Sequence, residues 1–140
     1  MNVWALHKYL ISAAARPAVF GKFDCVWFVF GALDEGWNRD YLTLLQYDDR
    51  RSAVTRLRAA GGLDEAISEH LGQDIPMSDL GVGDIAWLPP ANIGLIMPDY
   101  IAVKYRRTIL RVPLSEARSG WRTKPVGLVN RLRARLGWWG

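Results

Sequence analysis

A single cysteine, Cys25, stands in this chain of 140 residues, within Gly21-Lys22-Phe23-Asp24-Cys25-Val26-Trp27-Phe28. A turn containing Gly and Asp leads into an apolar run, so Asp24 reads as a helix N-cap and Cys25 as a first-turn residue. At that position the helix dipole and the unbonded backbone N–H groups favour a thiolate. The chemistry available to a thiolate is nucleophilic attack, provided a base takes its proton or its pKa is lowered. The chain has two histidines, His7 and His70, each within a helical pattern. A lone helical histidine is more often a surface or satisfied polar residue than a catalytic base. The two carboxylates nearest this chemistry also have plain readings: Asp24 as a helix cap, and Asp84 as a turn residue in Gly83-Asp84.

Other chemistries lack their residues. There is no Cys pair, no His pair at ligand spacing and no Asp-rich loop, so no metal is expected. No phosphate-cradling Gly-rich motif occurs, and no cofactor is expected. Half of the residues are apolar and seven are tryptophan, a composition that supports one domain with a real core. A lone cysteine cannot close an internal disulfide. The segment Met1-Asn2-Val3-Trp4-Ala5-Leu6-His7-Lys8 lacks the pattern of a secretory signal, and no apolar stretch has the length of a membrane span.

The elements that must position Cys25 follow from periodicity. Val3, Leu6, Leu10 and Ala14 share a helical face, predicting a helix over Asn2 to Ala15 that ends before Pro17. A very apolar helix is expected over Cys25 to Leu33, closed by Asp34-Glu35-Gly36. Asn38 to Tyr47 reads as a loop with a short helical turn. Helices are predicted over Asp49 to Ala60, stopped by Gly61-Gly62, and over Leu63 to Leu71, stopped by Gly72. Ile75 to Leu80 is a connector. Strands are predicted over Ile85 to Leu88, Ile93 to Met97, Tyr100 to Tyr105 and Thr108 to Val112, with a last short one at Gly120 to Arg122. Pro113 to Ala117 is a short turn or helix. Helices first and antiparallel strands after define an α+β class. Val126 to Leu136 reads as a basic amphipathic helix.

Asp24-Cys25 at a helix start, Gly83-Asp84 before the strand region and Asn92-Ile93-Gly94-Leu95-Ile96 in a strand resemble the layout of NlpC-type cysteine peptidases. Those are circularly rearranged papain-like enzymes that cut peptidoglycan stem peptides. The chain is more similar to a phage and prophage branch of small tail-tip proteins. Phe20-Gly21-Lys22-Phe23-Asp24-Cys25, Gly61-Gly62-Leu63, Val112-Pro113-Leu114 and Gly120-Trp121-Arg122 carry that similarity. The resemblance implies a small papain-like α+β domain over residues 1–123, followed by a C-terminal arm over 124–140. It also places the family's catalytic histidine at Asn92, whose amide does not titrate near neutral pH and cannot take the thiol proton. The implied protein is a structural component of a phage tail tip, made in the host cytoplasm and carried in the virion. It would bridge other tail-tip or hub proteins through a domain without the full catalytic dyad. The competing expectation is an active cysteine peptidase or amidase that cleaves peptidoglycan during DNA entry. In it Cys25 is the nucleophile, Asn92 orients a group or a water, and an unidentified base acts.

Partner contacts are expected from aromatics and arginines, the residue types enriched at binding hot spots. Trp27 and Trp87 fall in buried elements, while Trp4, Trp37, Trp121, Trp138 and Trp139 are freer to act as anchors. The charge of +4 is uneven: from Arg106 onward nine basic residues face one acid, Glu116. Arg131, Arg133 and Arg135 alternate with apolar residues before Trp138-Trp139, as in an arm that docks into a neighbouring subunit. Weak binding to an anionic membrane surface, or packing back on the domain, are the other readings of that segment. Nucleic-acid binding has only the modest charge in its favour and no recognition motif.

Overall fold

The computed structural model describes residues 2–37, 40–45 and 47–123. Four helices come first: α1 Val3–Ala15, α2 Cys25–Trp37, α3 Arg50–Ala60 and α4 Leu63–Leu71. Six strands follow: β1 Ile75–Pro76, β2 Ile85–Leu88, β3 Asn92–Ile96, β4 Ile101–Tyr105, β5 Thr108–Val112 and β6 Ser119–Trp121. They form one antiparallel sheet in the order β1-β6-β2-β3-β4-β5. The architecture is α+β with N-terminal helices, as helical periodicity followed by short apolar runs predicts.

Local chemistry sets the helix ends. Asn2 Oδ1 accepts from the Ala5 amide and starts α1. Asp49 and Ser52 form a reciprocal capping box at the start of α3. Gly61 ends α3 in the left-handed conformation, with φ of 93°, and its amide donates back to Leu57 and Arg58.

α2 is the central helix. Phe28, Val29 and Ala32 are wholly buried, and Phe30 and Leu33 nearly so. They meet Ile85, Ile93, Leu95, Ala102 and Trp121 from one face of the sheet, and Leu6 and Ala13 from α1. Full burial of each large side chain stabilises the fold by about 1.5–3 kcal/mol. On the other sheet face, Ala86, Ile96, Ile101 and Val103 pack under Met77, Leu80 and Leu114 from two 3₁₀ turns.

Several boundaries differ from the sequence expectation: β4 starts at Ile101 rather than Tyr100, β6 spans Ser119–Trp121 rather than Gly120 to Arg122, and further differences have visible causes. α2 does not stop at Asp34-Glu35-Gly36 but runs to Trp37, with Gly36 buried in it. Asp34 turns its carboxylate to the amides of Tyr41 and Leu42, so it caps the next turn instead of ending its own helix. The second long strand starts at Asn92 because Leu88 pairs with Asn92, and it ends at Ile96 because the Met97 amide closes a turn onto Tyr100. The connector at Ile75 contains a two-residue strand, β1, paired with β6.

Candidate functional site

Cys25 begins α2, and Asp24 is its cap. Asp24 Oδ1 accepts from the amides of Val26 and Trp27, both at 3.0 Å. Its Oδ2 accepts from the Gly21 amide at 3.1 Å, and the Tyr47 hydroxyl donates to both oxygens at 3.0–3.1 Å. Gly21 is required at this turn. It has φ of +86°, and a Cβ there would lie 2.2 Å from the Asp49 carbonyl carbon. The buried Asp24 is therefore fully occupied in holding the start of α2 against the loop that carries Tyr47. Burial, followed by the charge of Asp24, holds the Tyr47 hydroxyl firmly protonated.

The other half of the site comes from the sheet. Asn92 opens β3, and its Oδ1 accepts from the Ile93 amide at 2.9 Å. The same Ile93 amide approaches the Cys25 sulfur. The structure thus sets Cys25, at the start of α2, against the start of β3, where Ile93 follows Asn92.

The electrostatics do not favour a thiolate. Burial pushes the Cys25 thiol up to about 11, and the Asp24 carboxylate acts in the same direction. The amides of Ile93, Cys25 and Val26 pull the other way and are outweighed. At neutral pH nearly all of the thiol keeps its proton, and Asn92 has no lone pair basic enough to remove it.

Among the described residues no hydrogen bond joins either histidine to Cys25. His7 is exposed on α1. His70 is exposed at the junction of α3 and α4, with its Nε2 3.3 Å from an Arg56 nitrogen that also pairs with Glu69 at 2.8 Å. Asp84, only 1% exposed, is a scaffold residue. Its carboxylate accepts from the amides of Gly81 and Thr123, each at 2.9 Å. The Thr123 hydroxyl donates to Gly83 O. Among the described residues no group of three or more His, Cys, Asp or Glu side chains could hold a metal ion. No helix among them is long and apolar enough to cross a membrane.

The tryptophans divide differently from expectation. Trp121 is 1% exposed, so it is not a surface anchor. It packs edge-on against Trp87 at 6.0 Å and donates its indole N–H to Ser68 Oγ at 3.1 Å, fixing α4 to the sheet. Trp37 is half-buried against the core, whereas Trp4 is 70% exposed. Arg131, Arg133, Arg135, Trp138 and Trp139, expected as arm contacts, lie outside the described residues. Sequence reading missed Tyr47 and Thr123, which lock the two Asp-bearing turns. Both partners are distant in sequence, and nothing local marks them.

The site is a helix-borne thiol set against the first residues of a sheet strand in a small α+β domain. Residues 3–123 match the family model described as a domain of unknown function, DUF6950, and the chain belongs to that family. No curated protein and no solved structure matches the chain.

Proposed function

We propose that this protein is a structural component of a phage tail tip, built on an NlpC-like domain that has lost its catalytic base. The observation that carries the reading is the placing of Asn92 at the start of β3, next to Ile93 in the cluster against which Cys25 packs. An enzyme of that type needs an imidazole on the strand facing the thiol, and this chain offers a carboxamide there. With a protonated thiol and no adjacent base, the old site serves as packing between α2 and β3. The assignment to a tail tip rests on the order and spacing of Phe20-Gly21-Lys22-Phe23-Asp24-Cys25, Gly61-Gly62-Leu63, Gly83-Asp84, Val112-Pro113-Leu114 and Gly120-Trp121-Arg122. The function is assembly, bridging neighbouring tail proteins.

Two experiments test the two halves of this reading. Asn92→His restores an imidazole beside the thiol. Its Cys25 should alkylate faster near neutral pH than in the parent protein, and that gain should vanish in Asn92→His with Cys25→Ser. An unchanged alkylation rate in Asn92→His counts against an ancestral Cys–His site. Mass spectrometry of purified tailed particles should find the chain as a stoichiometric component, and its absence from them counts against the tail assignment. Cleavage of purified peptidoglycan by the unmodified protein, lost in Cys25→Ser, would replace the structural reading with the hydrolase.

A further inference from the structure

All six large apolar side chains that are markedly exposed among the described residues occur in two stretches of chain. Trp4, Ile11, Val19 and Phe20 lie on α1 and the loop after it, and Tyr105 and Leu110 on the β4–β5 hairpin. The two stretches are joined by the Ala18 amide, which donates to Arg106 O at 2.8 Å, and by the Lys104 ammonium, which donates to Ala14 O at 3.1 Å. Neither contains an acid: residues 3–23 carry Lys8, Arg16 and Lys22, and residues 100–112 carry Lys104, Arg106, Arg107 and Arg111. Of these only Lys104 is buried. A groove of about 290 Å³ runs between α1 and β5, lined among others by Leu10, Ile11, Ala14, Tyr100, Ile109 and Arg111.

The two edges of the sheet are unequal. β1 is a two-residue edge that contains Pro76, the kind of strand that resists further pairing. β5 is five residues long, in unbroken register with β4, free of proline, and, among the described residues, paired on one side only. At the hairpin tip Arg106 adopts φ of 51°, where Asn or Gly would be less strained, so the turn displays two arginines at a conformational cost.

From these features we infer that β5 and the groove beside it form a strand-addition site for an extended, acidic and apolar segment of a different protein. Charge selects the occupant. A second copy pairing through β5 would bring two arginine-bearing strands together with no carboxylate in residues 100–112 of either to offset them, which is unfavourable. Residues 124–140 carry Lys124, Arg131, Arg133 and Arg135 and no acid, so they are repelled as well. A bilayer would engage a convex face, whereas a groove beside an unpaired strand fits a chain whose backbone bonds to β5 and whose alternate side chains enter the groove. This inference does not depend on the tail assignment.

The test uses the full chain and a short synthetic peptide alternating glutamate with valine. The expected result is binding that weakens with added salt, together with slowed amide exchange within Thr108–Val112. Arg107→Glu with Arg111→Glu, at exposed positions, should keep the parent melting temperature and lose about fivefold or more in affinity. A lysine–valine peptide should not bind. The inference is overturned by absence of binding, by equal binding of the lysine peptide, or by binding without protection of β5. It is equally overturned if vesicles containing phosphatidylserine bind this face and the glutamate peptide does not, or if the chain dimerises through β5.

Discussion

A thiol at the first position of a helix feels two opposed influences, and at Cys25 they can be ranked. The amides at the start of α2 and the Ile93 amide stabilise negative charge, while burial and the Asp24 carboxylate oppose it and prevail. Alkylation of the folded protein should therefore be slow at neutral pH and rise only toward an apparent pKa of about 11. The denatured chain should react at the ordinary thiol value, and a folded pKa below that value would contradict this account. The same shift makes a statement about stability. The folded pKa is raised, so between about pH 9 and 11 the folded state holds a proton that the unfolded chain releases. The stabilisation is complete below that window and is lost as pH rises through it. Thermal unfolding across this range should fall less steeply in Cys25→Ser than in the parent, and parallel curves would refute the linkage.

At the scale of elements, two aspartates do equivalent work in different places. Asp24 ties the start of α2 to a turn and to Tyr47, and Asp84 ties the start of β2 to the chain after β6. Asp84→Ala would leave the part-buried Gly81 amide and the buried Thr123 amide without acceptors. A loss of about 2–4 kcal/mol in denaturant unfolding is expected. A loss near zero would show that other groups satisfy these amides. What was legible in the sequence followed the range of the forces involved. Leu63–Leu71, Ile85–Leu88 and Thr108–Val112 fall where periodicity and their Gly or Pro neighbours put them. Asp24 as a cap was readable because capping reaches only three residues. The extension of α2 to Trp37 was not readable, since it depends on Asp34 meeting Tyr41 and Leu42 in space. The burial of Trp121 was hidden for the same reason: its hydroxyl partner Ser68 is 53 residues away. For the site, the chain displayed a cysteine and an asparagine but could not display the pKa, which depends on packing from both α2 and β3.

For the molecule as a whole, the last described residues belong to the fold. Thr123 bonds Asp84, and Tyr41 donates its hydroxyl proton to Thr123 O at 2.6 Å. A chain ending at Thr123 should unfold cooperatively at a melting temperature close to that of the full chain, whereas one ending at Arg118 should not fold. A large drop in melting temperature on removing 124–140 would place part of the core beyond the family match.

The position of β6 has a further consequence for synthesis. It is the last of the described strands to be made, yet it lies between β1 and β2 in the sheet. Until it arrives, β1 has no partner, one side of β2 is bare, and the indole that fastens α4 is missing. Any product of premature termination before Ser119 thus exposes unpaired strand backbone and apolar core together, the features by which a cell's chaperones and proteases recognise an unfinished chain. β6 fills the gap between β1 and β2 late in synthesis, so an unfinished chain is also an unfinished sheet.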